Sequence, residues 1–352
     1  MNVSEIPLRV RDRRIAHDEP PYVIAEIGVN HDGSVDRAIE MVHAAAAVGA
    51  DAVKLQWFEA DLLVGGDDSV AAYQRRSGVT DQRAMLKELE LTRDELATVA
   101  REASRSNLAA IVTVFSTELV DSARTVEWDA WKTASPDIIH RPLLDALAKD
   151  GRPMLVSTGA SDLEEVVRAD RWLSGTSMGF LHCVSAYPTP EDSADLSGIR
   201  AIAEATGRTC GYSDHTAAVT TGGLAVAAGA CILEKHLTWS REARGPDHRA
   251  SMEAEPLGEY IAFARRTHLA MGEGGKSVGD HERDVRRVAR QSIRAAADLP
   301  VGTVLADSDL LVKRPGDGLE PWRLGELLGR RLIRPVSADD PIRTEDLEEF
   351  RS

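Results

Sequence analysis

From Tyr22 to about residue 270, short apolar runs rich in β-formers alternate with amphipathic helical stretches. That is the rhythm of a parallel sheet built from βα units. The runs "YVIAEIGVN", "AVKLQW", "LAAIVTVF", "AWKTAS", "PMLVST", "MGFLHCV", "TCGYSDH" and "CILEKHLT" read as strands. Eight such units close a (β/α)8 TIM barrel of this length. The segments between them carry helix signatures. "SVDRAIEMVHAAAAVGA" opens on a Ser cap and ends at Gly49, and in "TRDELATVAREASRSN" Thr92 is followed three residues later by Glu95, the spacing of a capping box. The connection Phe58 to Leu91 is long for a compact domain and is expected to be functional or to carry structure of its own.

Strand residues alternate faces, so polar positions of one parity can be tested for convergence. Ile24 and Glu26 share a face in the first strand, with Val23, Ala25 and Ile27 opposite; Lys54 and Gln56 share one in the second. The same parity gives Thr113, Lys132, Ser213 with His215, and Glu234 with His236 in later strands. The opposite face is apolar and suits the outer helices, so the polar set looks into the barrel. Barrel interiors are packed cores, and charge gathered toward the C-terminal strand ends is poorly explained by stability alone. Glu26, Lys54, Thr113, Lys132, His215 and His236 are therefore expected to meet at one mouth. Lys235 has the other parity and is expected to snorkel between helices or pair with a helix carboxylate.

His215 and His236 end adjacent strands, whose backbones run about 4.8 Å apart, so both imidazoles can reach one divalent ion at roughly 2.0–2.3 Å. A lone strand-end histidine is ordinarily a hydrogen-bonded structural residue; two neighbours favour a metal. With so few protein ligands, waters and substrate oxygens complete the shell, which suits Mn²⁺ or Mg²⁺. Glu234, one inward step deeper, is expected to support the site rather than ligate.

Composition sharpens the substrate class. Forty-two Lys and Arg against fifty-seven Asp and Glu give a net charge of −15 over 352 residues, which argues against a nucleic-acid or anionic-membrane partner. Two lysines in one pocket of so acidic a chain call for a small phosphorylated or carboxylated guest. The N-terminus lacks the apolar core of a signal peptide and no run is long enough to span a bilayer, so a cytoplasmic location is expected. Cys183, Cys210 and Cys231 lack paired zinc-site spacing and are expected to be reduced and structural.

The boundaries read as a barrel over 1–270, a Gly-rich linker over 271–285 and a second domain over 286–352. "GEGGKS" in the linker nearly imitates a phosphate-binding loop, but Ala270 replaces its first glycine and a helix precedes it. The second domain turns to short strands and one helix-like run, "EPWRLGELLGRR". Its segments "PVGTVLADSDLL" and "VSADDPIRTEDLEE" echo each other around an Asp-Leu pair, which suggests a compact β-rich module with internal pseudo-symmetry.

The runs "AEIGVNHDG", "GADAVKLQ", "STGASDLEEV", "LHCVSAYPTPEDSADL", "GYSDHT", "ILEKHLT", "GPDHRASMEAEPL" and "VKRPGDGLEP", in this order from residue 22 to about 345, resemble the sialic acid synthase family, the phosphoenolpyruvate-dependent synthases of nonulosonic acids. The resemblance implies a metal-containing TIM barrel followed by an antifreeze-protein-like (β-clip, SAF) domain, in a domain-swapped homodimer. It implies a transferase that joins C3 of phosphoenolpyruvate to the aldehyde of an open-chain N-acetylmannosamine-type sugar and releases phosphate by C–O cleavage. By the same resemblance His215 and His236 are metal ligands, and Lys54, Thr113, Lys132, Ser135, Ser185 and Ser213 contact phosphoenolpyruvate. Gln56, Asp137, Tyr187 and Asp247 lie on the sugar side, Arg314 reaches the sugar's N-acyl group from the second domain, and Glu26 is an acidic residue of the site.

The departures concern the acceptor. Val114, Ser116, Pro136, His140 and Arg141 stand where the family often has other residues, and Arg75 and Arg76 are candidates for meeting a 6-phosphate. N-acetylneuraminate synthesis is the first expectation. Synthesis of legionaminate, pseudaminate, N-acetylneuraminate 9-phosphate or a spore-coat sugar is the alternative within the same chemistry. A non-catalytic sugar- or ice-binding protein and a metal-dependent aldolase or isomerase are the alternatives from other classes.

Overall fold

The computed structural model describes residues 8–65, 81–272 and 274–348, and the chain divides into two compact units at Glu273 and Gly274. In the first unit all eight expected strands form: β3 (Tyr22–Glu26), β4 (Ala52–Trp57), β5 (Ala109–Val114), β6 (Ala130–Thr133), β7 (Met154–Ser157), β8 (Met178–Cys183), β9 (Thr209–Asp214) and β10 (Ile232–His236). They pair in parallel in sequence order, and β10 closes on β3 with His236 opposite Glu26. Val23, Ala25, Val53, Leu55, Val112 and Trp131 face outward into the main apolar core, shared with the helices. The expected caps are present. Thr92 and Glu95 form a reciprocal capping box on the helix Arg93–Arg105. Ser34 accepts from Arg37 N ahead of the helix Val35–Ala47, and Gly49 beyond its end has φ +83°, a left-handed conformation suited to glycine.

The sequence reading missed a hairpin, β1 (Leu8–Val10) with β2 (Arg13–Ile15). Its Leu8, Val10 and Ile15 join Tyr22, Ile24, Ala52, Ala109, Ile111 and Ile232 in a second apolar cluster. The strand residues in that cluster lie toward the N-terminal strand ends and share the interior parity, so the hairpin plugs the barrel floor. Gly179 of β8 makes room, since a Cβ there would lie 2.9 Å from Thr209 O and 3.1 Å from Leu8 Cδ2. The long connection after β4 does carry structure, the helices Ala60–Leu63 and Gln82–Leu89; Arg75 and Arg76 lie outside the described residues.

Lys235 corrects one expectation. It points outward but does not snorkel, being fully buried. The β9–β10 register sets it beside Asp214, whose Oδ2 is 3.1 Å from Nζ, and Nζ also donates to Thr216 O at 2.6 Å. Its partner is thus a strand carboxylate rather than a helical one.

The stretch 271–285 is not linker throughout. The helix Ala254–Met271 runs into its start, and a 3-10 turn, Asp280–Glu282, leads into a helix at Arg283–Ala289. The second unit pairs β11 (Ser292–Ala295) with β12 (Leu310–Lys313) in antiparallel fashion, over a core that includes Ile293, Leu305, Leu332 and Ile342. The sequence echo is realised as one turn used twice. Asp309 Oδ2 accepts from Ala306 N at 2.9 Å, Asp346 Oδ2 accepts from Arg343 N at 2.6 Å, and buried Leu310 and Leu347 follow. The helix-like run shortens to a 3-10 turn, Pro321–Arg323, and a four-residue helix, Leu324–Leu327. Among the described residues no helix is long and apolar enough to cross a membrane.

Candidate active site

The interior parity that packs Ile24, Ala52, Ile111 and Ala130 on the barrel floor carries charge one step higher. Register sets Glu26 beside Lys54, Thr113 beside Lys132 and Glu234 beside Ser213. Lys54 is ion-paired with Glu26 and donates to Thr113 Oγ1 at 3.1 Å. Lys132 donates to Ser157 Oγ and to Thr133 O. Glu234 lies between the two ammonium groups, 3.8 Å from each, and accepts from Ser213 Oγ at 2.7 Å. All of these side chains are buried, so their charges act on one another with little screening.

The electrostatics follow from that packing. For Glu234, burial opposes ionisation but Lys132 and Lys54 outweigh it and hold the carboxyl at about 2. Burial works against the charge of Lys54 too, yet Glu234 and Glu26 raise its pKa above that of a free lysine. Burial lowers the pKa of Lys132 despite Glu234. Burial pushes the Glu26 carboxyl up against the pull of Lys54. Glu26 Oε1 meanwhile accepts from Gly28 N at 2.6 Å and Gln56 Nε2 at 3.2 Å.

The two histidines come together above this layer, ring centroids 5.6 Å apart. His215 Nδ1 is 2.8 Å from the Val184 carbonyl, so Nδ1 carries the proton and Nε2 keeps a lone pair. His236 Nδ1 is buried with no hydrogen-bond partner. Burial, with His236 against His215 and Lys54 against His236, keeps both rings neutral, each pKa lowered to about 3. Two neutral imidazoles with available lone pairs fit a divalent ion whose remaining positions are filled by water or substrate. Among the described residues no group of three or more His, Cys, Asp or Glu side chains forms a fuller metal cage.

Tyr187, Asp247 and Asp137 of the barrel unit lie near this centre. Tyr187 packs against His215 with centroids 4.2 Å apart and the rings tilted by 36°. Asp247 Oδ2 lies 3.7 Å from His236 Nδ1, and burial with Glu26 nearby pushes its carboxyl up to about 7. Burial raises Asp137 to about 6, with Lys132 and His140 pulling the other way. Ser213 has its hydroxyl committed to Glu234. Arg314 belongs to the second unit, directly after β12.

Sequence reasoning missed a cradle beside Lys132. Gly159 N donates to Ser135 Oγ at 3.0 Å, and Cys183 Sγ lies 3.1 Å from the same oxygen. A methyl group at Gly159 would collide with Ser185 Oγ, Cys183 Sγ and Ser135 Oγ, so only glycine lets two hydroxyls and a thiol close on the backbone at this point. Cys183 is a buried thiol in no disulfide, as expected, and its sulfur also packs against this cradle. Its parity in "MGFLHCV", shared with Leu181, was the available signal; Cys210 and Cys231 are buried thiols in no disulfide, as expected.

Comparison with known proteins sets this geometry in a family. The chain matches the NeuB family over residues 41–276 and the SAF domain over residues 290–348. It is 34% identical to the N,N'-diacetyllegionaminic acid synthase of Legionella pneumophila, over 93% of this chain and 94% of that protein. Among solved structures it is similar to the N-acetylneuraminic acid synthetase of Leptospira borgpetersenii, at 27% identity and TM-score 0.72, over 80% of this chain and 95% of that one. It is also similar to the spore coat polysaccharide biosynthesis protein SpsE of Bacillus subtilis, at 29% identity and TM-score 0.67, over 98% and 99%. With a parallel eight-stranded barrel, a polar mouth of lysines and histidines and a C-terminal SAF domain, the chain belongs to the NeuB family of enzymes related to nonulosonic acid synthases.

Proposed function

We propose that this protein condenses phosphoenolpyruvate with the aldehyde form of an N-acylated hexose to give a nonulosonic acid and inorganic phosphate. The observation that carries the reading is the buried Lys54–Glu234–Lys132 layer beneath two neutral histidines. It offers fixed cations to an anionic donor and oxygen-coordinating capacity to an aldehyde.

Lys54 and Lys132 bind the donor's phosphate and carboxylate, and Thr113, Ser135, Ser185, Ser213 and the Gly159 N–H supply hydrogen bonds. Ser213 turns from Glu234 to do so. Held this way, C3 of the donor attacks the aldehyde carbon, water adds at C2, and the C2–O bond to phosphate breaks. Glu26, paired with Lys54 and hydrogen-bonded to Gly28 N, is placed to pass a proton to or from the attacking water or the new hydroxyl. Bound at His215 and His236, a divalent ion such as Mn²⁺ or Mg²⁺ supplies Lewis-acid polarisation of the aldehyde. Gln56, Asp137, Tyr187 and Asp247 orient the sugar. Arg314 serves its N-acyl group, from the partner in a domain-swapped dimer.

For the acceptor, relatives named N,N'-diacetyllegionaminic acid synthase reach 34% and 32% identity, against 28% for an N-acetylneuraminate-9-phosphate synthase. On that support we propose a six-carbon sugar with two acetamido groups as the acceptor to try first, ahead of N-acetylmannosamine, the acceptor first suggested by the sequence. The test is phosphate release from phosphoenolpyruvate with Mn²⁺ and each sugar in turn, the α-keto acid being identified by mass. Turnover is expected with the diacetamido sugar above N-acetylmannosamine. No turnover with any N-acyl hexosamine overturns the reading.

A further inference from the structure

Two loops at the barrel mouth, the one after β3 and the one after β10, are tied together by a carboxylate and, beside it, by a buried amide. Asp32 lies in the first. Its Oδ1 is 2.8 Å from His248 Nε2, and its Oδ2 accepts from Arg37 Nη1 at 2.5 Å and from Trp239 Nε1 at 3.2 Å. Arg37 also stacks on the Trp239 ring, 4.5 Å from its centroid. His248 is fully buried, and its other nitrogen lies 2.7 Å from Thr238 Oγ1. Trp239, Thr238 and His248 all belong to the second loop, at its two ends.

A second set of bonds runs beside the first. Asn30, also fully buried, donates through Nδ2 to Leu237 O and to Ser251 Oγ, each at 2.8 Å, and Ser251 Oγ donates to Asp247 O at 2.7 Å. Asp247, the residue that faces His236, is thereby held by Ser251 on one side and by buried His248 on the other. The first loop is bent to meet it. Val29 and Asp32 have φ of +60° and +50°, and for β-branched Val29 that left-handed conformation is strained and persists only where surrounding contacts impose it.

We propose that Asp32 is a positioning residue, the latch that holds the 237–252 loop closed and so fixes the Asp247 carboxyl toward the acceptor sugar. Asp32 touches none of the reacting groups; it acts through His248 and Trp239. The sugar part of this inference rests on the proposed function, whereas the latch itself does not.

The experiment uses the full chain with Asp32→Ala. The Asp32 side chain is 22% exposed, so the change opens no deep cavity. Arg241 and Arg244 are exposed within the latched loop, and trypsin cleavage after them, located by mass spectrometry, reports loop opening. Because both of the carboxylate's hydrogen bonds to the second loop, from His248 and Trp239, are lost, cleavage should accelerate about tenfold under native conditions. In the synthase assay the acceptor KM should rise about tenfold while the phosphoenolpyruvate KM stays within about twofold. Unchanged cleavage overturns the latch. Faster cleavage with an unchanged acceptor KM overturns the link to the sugar. If the wild-type protein turns over no N-acyl hexosamine, the functional reading fails and the cleavage rates still decide the latch. Should Asp32→Ala not fold, Asp32→Asn keeps the size and one acceptor oxygen, and about a threefold rise in cleavage is then expected.

Discussion

At the scale of single residues the site is a set of carboxyls driven apart by their surroundings. Glu234, between two ammonium groups, is held ionised, whereas Asp137 is raised to about 6 and Asp247 to about 7. Asp137 gives a clean test because its Oδ2 is buried with no hydrogen-bond partner and it touches neither histidine of the proposed metal pair. Its pKa in the fold exceeds the ordinary value of 3.8. Between about pH 4 and 6 the folded protein therefore binds more protons than the unfolded one, so stability falls as pH rises through that window and stays lower above it. Asp137→Asn removes the ionisation, and the variant should gain up to roughly 3 kcal/mol over wild type at pH 8 and less than about 1 kcal/mol near pH 4. Urea unfolding at the two pH values measures this, and an equal change at both removes burial of the charge as the cause. Glu26, Lys54, Thr113, Lys132, Ser213 and Glu234 were legible from strand parity, because inward positions on a barrel strand are fixed by alternation alone; Asp137 and Asp247 lie off the strands and were reached only through the family resemblance. Gly159 and the Asp32–His248 latch were not legible. Both depend on loops that meet in space across stretches of chain that alternation does not relate, more than two hundred residues in the case of the latch.

At the scale of elements, the eight strands were legible because each is two-faced, apolar toward the helices and mixed toward the interior. The floor hairpin was not, because "LRVRDRRI" reads as a charged, turn-like segment with only three apolar positions. Those three, Leu8, Val10 and Ile15, are 0%, 1% and 2% exposed, while arginines of the hairpin reach strand-end carboxylates, Arg13 to Asp51 and Arg11 to Asp129. Asp51 also accepts from Val23 N, and Asp129 from Ala110 N. The hairpin thus seals the floor with apolar side chains and ties its rim with charge. Leu8→Ala should cost about 2–4 kcal/mol, the usual price of a cavity in a packed core, with both KM values unchanged because the mouth lies at the other end of the barrel. Chemical unfolding and initial rates on the same preparation check this. A stability loss below about 0.5 kcal/mol shows that the hairpin is not part of the packed core.

At the scale of the whole molecule, the proposed division of labour places donor, metal and most sugar contacts in the barrel unit and Arg314 in the SAF unit. The second unit leaves Trp322, Val301, Val304, Leu328 and Ile333 exposed, side chains that a partner surface would cover. If that partner is a second copy whose barrel receives Arg314, two crippled chains should repair each other. Lys132→Ala abolishes donor binding in its own barrel, and Arg314→Ala leaves its barrel intact but carries a defective SAF unit. In a swapped heterodimer one of the two sites combines an intact barrel with an intact Arg314, and random pairing makes half of all dimers heterodimers, so mixing and reassociating equal amounts should restore about a quarter of wild-type activity. If each SAF unit serves its own barrel, every site keeps one defect and mixing restores nothing. Assays of each variant alone set the baseline. Arg314→Ala alone should raise the acceptor KM with the phosphoenolpyruvate KM nearly intact, so recovery is read at low acceptor concentration, where only a site holding both intact parts turns over appreciably.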